Sequence, residues 1–202
     1  AAVAGTTPSL PHPSDGLTDI ANHLASHAQS AAVHGELAYW QSIEARCGSL
    51  VEFPRHKPSL YRDRKTLTLV LDAAATSVVL TTANDAYGTS PEDLLLTALA
   101  RAFHSEVEAM STGILLESHG RYPMVSGADA SRTIGWLTSL FPFVLSVDPQ
   151  RQVGFQLKSV KEAIRAVPSH GIGYGLLRYL ENAQLEARPQ VSFNYLGQLD
   201  AG

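Results

Sequence analysis

Apolar residues recur along the chain with two periods, and the switches between them mark out the elements. Leu17, Ile20 and Leu24 follow a helical spacing, with Ser14 placed to cap the helix. A second helix is expected over residues 36–46, with Leu37, Trp40 and Ile43 on one side and Gly48 after its end. Residues 66–71 alternate in part and read as a strand, and residues 76–86 as a short helix stopped by Gly88. The clearest helix starts at Ser90. Pro91 suits its first turn and Asp93 can complete a capping box. Leu95, Leu99, Phe103 and Val107 then repeat every four residues, and Ala98 and Ala102 offer a close-packing surface.

Beyond that helix, residues 112–117 and 143–147 read as strands around a turn at Gly120. A helical pattern over residues 155–167, through Leu157, Val160 and Ile164, is stopped by Pro168. A glycine-spaced turn at Gly171, Gly173 and Gly175 precedes a short helix over 176–180, and residues 191–196 read as a last strand. Helices and strands interleave, so the class is a layered α/β protein. Residues 1–13, rich in Ala, Thr, Ser, Pro and Gly, read as a linker or loosely held arm before a body over 14–202.

Composition narrows the partners. The chain has 202 residues, 45% hydrophobic and 17% charged, with a net charge of −4, and its basic residues form no stripe. A nucleic-acid partner is not expected. No apolar run approaches the length of a membrane span, and Ala1 to Leu10 lack the pattern of a signal peptide. A single cysteine, Cys47, allows no internal disulfide, and a reducing, cytoplasmic setting is expected. His23 and His27 stand one helical turn apart with no third ligand nearby, so no metal is assigned. The three glycines do not continue as a dinucleotide fingerprint, and no cofactor is assigned from the residues.

Three segments carry chemistry. Glu117-Ser118-His119-Gly120-Arg121 puts a carboxylate, an imidazole and a guanidinium at a strand end. Glu117 shares a face with Leu115, and a core on that face would leave it partly buried and able to accept and return a proton. The equal alternative is an ion pair from Glu117 to Arg121 or His119 that braces the turn. Residues 132–142, with Trp136, Thr138, Ser139 and Phe141, have the make-up of a channel wall or of ordinary core. In Phe193-Asn194-Tyr195-Leu196-Gly197, a regular strand would aim Asn194 and Tyr195 in opposite directions.

These segments resemble motifs of the epimerization domains of non-ribosomal peptide synthetases. Glu117 to Arg121 resembles the Glu-Gly-His-Gly-Arg motif. Residues 132–142 resemble Arg-Thr-(Val/Ile)-Gly-Trp-Phe-Thr-Ser…Pro, residues 171–180 resemble Gly-x-Gly-Tyr-Gly-Leu-Leu-Arg-Tyr-Leu, and 193–197 match Phe-Asn-Tyr-Leu-Gly. Ser118 stands where the family usually has glycine, and Tyr122 where a glutamate is common.

The resemblance implies the C-terminal lobe of a chloramphenicol-acetyltransferase-like fold. It implies an isomerase of secondary metabolism, in antibiotic biosynthesis. The reaction inverts the Cα centre of an aminoacyl or peptidyl thioester borne on the phosphopantetheine arm of a peptidyl carrier protein. That arm belongs to the carrier, and no cofactor is held by the chain itself. Glu117 is the implied acid/base residue, with Tyr195 and Asn194 next, and His119, Arg121, Trp136, Thr138 and Ser139 as supporting or channel residues. The family's His-His-x-x-x-Asp motif does not occur in the sequence. The expectation is therefore a partial domain, inactive alone, that needs an N-terminal half and works beside other synthetase domains. A diverged condensation domain and a non-catalytic docking lobe are the rival readings.

Overall fold

A computed structural model of the chain describes residues 12–48, 50, 60–122 and 127–197. Helices α1 (Leu17–Ala28), α2 (Ala31–Gly35) and α3 (Leu37–Arg46) come first, then α4 (Ala73–Leu80), α5 (Thr82–Tyr87) and α6 (Pro91–Val107). Strands β1 (Ser111–Ser118) and β2 (Ser139–Ser146) precede α7 (Val153–Arg165), α8 (Ile172–Tyr179) and the two-residue β3 (Ser192–Phe193). Among the described residues the sheet runs β2-β1-β3, antiparallel on the first side and parallel on the second. Helices α3 and α6 touch both β1 and β2, α8 packs on β2, and α7 packs on α6. This is the expected mixed α/β architecture, with helices layered on a sheet.

The core follows from the periodic residues. Trp40, Leu96, Ile114, Leu145, Tyr174 and Leu177 are fully buried in one cluster. Trp40 meets the edges of Tyr174 and Phe141, with ring centroids 5.3 and 5.9 Å away. Its indole N–H donates to Glu36 Oε2 at 3.0 Å, so the polar end of the ring is satisfied inside the core. Gly173 lies against that carboxylate, and any Cβ there would strike it. Of the three spaced glycines Gly173 serves this close approach, and α8 starts at Ile172 rather than at 176.

The capping box at Ser90 is formed. Asp93 N donates to Ser90 Oγ at 3.2 Å and Ser90 N donates to Asp93 Oδ2 at 2.8 Å. The buried side of α6 is nonetheless Asp93, Leu96, Thr97 and Ala100; Ala98 and Ala102 face water. Ser14 does not cap α1, whose N-cap is Gly16; its hydroxyl pairs with Thr133 Oγ1 instead. The helix expected over 76–86 is two helices broken at Thr81, where the Thr81 hydroxyl donates to Ser77 O at 2.7 Å. Such back-bonding bends helices. Gly88 ends the second in a left-handed conformation.

Three strand expectations change. Residues 66–71 lie in the irregular stretch before α4 and pair with no strand among the described residues. Strand β2 begins at Ser139, before the expected 143, and pairs with β1 along its whole length. Pro142 is tolerated because its partner Leu115 turns its N–H away to Val191 O, 2.8 Å; Pro142 likewise faces the side of β2 on which no described strand pairs. The last strand keeps only Ser192 and Phe193 before the chain leaves the sheet.

Candidate active site

Strand β1 delivers Glu117 to a cavity of about 460 Å³ at its C-terminal end. Buried Ile114 and Leu116 mark the core side of β1, and Glu117 lies on the other side with half-buried Leu115. The expected sharing of a face with Leu115 holds, but that face is not the fully buried one. Both Glu117 oxygens act as acceptors. Asn194 Nδ2 donates to Oε2 at 2.7 Å and Ser192 Oγ donates to Oε1 at 3.3 Å. The short parallel strand β3 puts both donors in place, since it pairs with β1 through Leu115 and Leu116.

The ion-pair brace is not formed. His119 Nδ1 accepts from Arg121 N at 2.9 Å. The Arg121 guanidinium donates to the carbonyls of Ala130, Thr133 and Gly135 at 2.8, 2.7 and 3.0 Å. Arg121 therefore fastens the loop that leads into β2 and leaves Glu117 to Asn194 and Ser192. Gly120 makes the turn possible: its φ is +64°, and a Cβ would collide with the Leu137 carbonyl.

Leu116, Phe141, Ile164 and Val167 supply apolar lining to the cavity. Glu117, Ser118, His119, Thr138, Asn194 and Tyr195 bring polar groups. Asn194 and Tyr195 both reach it because the strand has ended at Phe193, which removes the alternation that a regular strand would impose. Residues 132–142 divide. Thr138 and Phe141 line the cavity, and Thr133 donates to Asp15 O at 2.6 Å, tying the loop to the start of α1. Trp136 is 85% exposed, neither core nor cavity wall. Ser139 Oγ is buried without a hydrogen-bond partner among the described residues and does not line the cavity.

Glu92, Tyr122 and His170 line the cavity without having been picked out from the sequence as site residues. Glu92 sits in the first turn of α6, where the pattern signalled only a helix start. Burial pushes its carboxyl above the ordinary range, and the neighbouring Asp93 charge adds to this. Tyr122 stacks flat on His170, centroids 3.7 Å apart and 9° between planes, and also meets His119 at 4.3 Å. His170 and Ser169 both adopt left-handed backbone conformations, φ 51° and 47°. That geometry costs a non-glycine residue about 1–2 kcal/mol. Among the described residues, no group of three or more His, Cys, Asp or Glu could hold a metal ion. No helix there is long and apolar enough to cross a membrane.

A model of the condensation domain matches residues 1–201. The chain belongs to the condensation-domain family. Bacitracin synthase 3 of Bacillus licheniformis is 35% identical over 204 residues, spanning 99% of this chain and 3% of that protein. Tyrocidine synthase 2 of Brevibacillus parabrevis is 36% identical over 201 residues, 95% of this chain and 6% of that one. Among solved structures, the epimerization domain from the third module of tyrocidine synthetase B superposes with a TM-score of 0.80 at 35% identity. That match covers 93% of this chain and 43% of that one. The first condensation domain of the calcium-dependent antibiotic synthetase shares the fold, with a TM-score of 0.63 at 22% identity, over 96% of this chain and 44% of that one. This condensation-family chain thus spans under half the length of those two solved domains, and a small part of the synthetases.

Proposed function

We propose that this condensation-family chain supplies the Glu117 wall of an epimerization site. The site inverts the Cα centre of an aminoacyl or peptidyl thioester presented on the phosphopantetheine arm of a peptidyl carrier protein within a synthetase. One observation carries the reading: Glu117 enters a cavity with both carboxylate oxygens oriented by neighbours and no cation bound to them among the described residues. A docking lobe would have no use for a carboxylate held open to a cleft. The 35% identity to a solved epimerization domain, against 22% to a condensation domain, supports inversion over peptide-bond formation.

In this reading the Glu117 carboxylate takes the Cα proton. The C–H electron pair moves toward the thioester carbonyl, whose oxygen becomes an enolate and needs stabilisation. A proton returned to the opposite face completes inversion. Asn194 and Ser192 orient the base. Tyr195 stands beside them for positioning or proton transfer, while His119, Arg121 and Thr138 shape the walls. A segment bearing the family's His-His-x-x-x-Asp motif, which this sequence lacks, forms the opposing wall. Residues 1–202 alone are therefore expected to give no Cα exchange, because proton transfer needs groups held within hydrogen-bond reach.

The test is solvent deuterium exchange at Cα of a carrier-bound aminoacyl thioester, run beside a thermal melt. Glu117→Gln in a domain that holds both walls should slow exchange by roughly 10²- to 10⁴-fold with an unchanged melt. Near-normal exchange in the folded variant would sink the assignment. Robust exchange by residues 1–202 alone would overturn the need for a second wall.

A further inference from the structure

The ring pair Tyr122–His170 joins two turns that are distant in sequence. One follows Glu117, reversing at Gly120. The other, Pro168–Gly171, leads into α8. The first is held at Ser118, next to Glu117, whose hydroxyl donates to the Tyr122 oxygen at 3.1 Å. The second is held at Ser169, whose hydroxyl donates to Glu36 Oε1 at 2.6 Å. Glu36 is only 8% exposed, and Trp40 donates to its other oxygen. A continuous path therefore runs from the aromatic core through Glu36, Ser169, His170 and Tyr122 to the residue beside Glu117.

We propose that Tyr122 and His170 are positioning residues for Glu117: their stack clamps the turn after β1 to the Glu36-anchored turn before α8 and fixes the strand end that enters the cavity. This rests on the epimerization reading above. The backbone supports it, because two successive left-handed residues persist only where the surroundings over-determine them. Here the Ser169–Glu36 bond and the stacked ring do so. The His170 ring acts through its flat face, and its ring nitrogens take no part in the reaction.

The test uses the domain with both walls and a carrier loaded with an aminoacyl phosphopantetheine thioester. His170→Gly suits the left-handed backbone and removes the ring. It should keep a melting temperature close to wild type while kcat for Cα exchange falls roughly 10- to 100-fold and KM stays nearly constant, the loss expected of a misplaced base. His170→Phe restores a flat ring and should bring the rate back to within about threefold of wild type. Independently of activity, Tyr122→Leu should move the His170 imidazole C2–H resonance, which lies under the tyrosine ring. An unchanged rate in His170→Gly, a His170→Phe variant as slow as the glycine one, or an unmoved resonance in Tyr122→Leu overturns the proposal. Glu117→Gln, measured in parallel, separates the two failures. If it abolishes exchange while His170→Gly does not, only the positioning role is lost. If it leaves exchange intact, the assignment of Glu117 as the base fails and the positioning role falls with it.

Discussion

Residues 66–71 and β2 hold comparable apolar stretches and meet opposite fates. In β2, Phe141, Pro142, Phe143, Val144 and Leu145 are all buried, because β1 lies alongside and helices cover the pair. In the other stretch Leu67, Leu69 and Val70 are 85–87% exposed and Leu71 is 57% exposed. Alternation shows that a segment can lie in a sheet. A strand is made only by a partner whose N–H and C=O groups face its own. The lesson extends to β3, where sequence suggests six residues and only the two that find β1 become strand.

Truncating one apolar side chain in the β1–β2 pair and one in residues 66–71 separates the two. Ile114→Ala, at a fully buried position opposite Phe143, should cost about 2–5 kcal/mol in urea unfolding. Leu69→Ala should change the stability of the same chain by no more than about 0.5 kcal/mol. Equal losses would mean that residues 66–71 are packed after all. A middle-sized effect is expected at Gly173. Its replacement by Ala drives a methyl into Glu36, disturbing the bonds to Trp40 and Ser169, and should cost about 1–3 kcal/mol. Gly175→Ala, with open space around it, should cost less than the Gly173 change; similar costs would point to backbone freedom rather than the Glu36 contact.

The smallest effect concerns Cys47, which sits against Gly113 of β1 and borders the packed region. Burial, aided by the Glu44 charge, pushes its thiol from 9.0 up to about 11. Below pH 9 the reactive thiolate is then about a hundredfold scarcer than in a free thiol, and iodoacetamide labelling should slow accordingly. The folded chain holds this proton more tightly than the unfolded chain, so the contribution is intact below pH 9 and declines as pH rises toward 11. Labelling at pH 8 that matches the urea-unfolded chain would show that Cys47 is not shielded.

Local sequence determined what depends on neighbours in the chain. The capping box at Ser90, the extent of α3, the turn at Gly120 and the mixed α/β class were all legible, because capping, helical period and left-handed glycine are set within a few residues. Glu117 could be singled out as a candidate, with site and brace equally weighted. Tertiary structure decided the rest. It gave Arg121 three carbonyls of the loop that leads into β2 instead of a carboxylate, and it left Trp136 in water. It also set Asn194 and Ser192 on Glu117 from more than seventy residues away, and laid His170 on Tyr122. Those contacts have no local signature, since each depends on which strand finds β1 and which turn reaches the cavity. Periodicity specifies which residues of a segment share a face; only the packed chain specifies what that face meets.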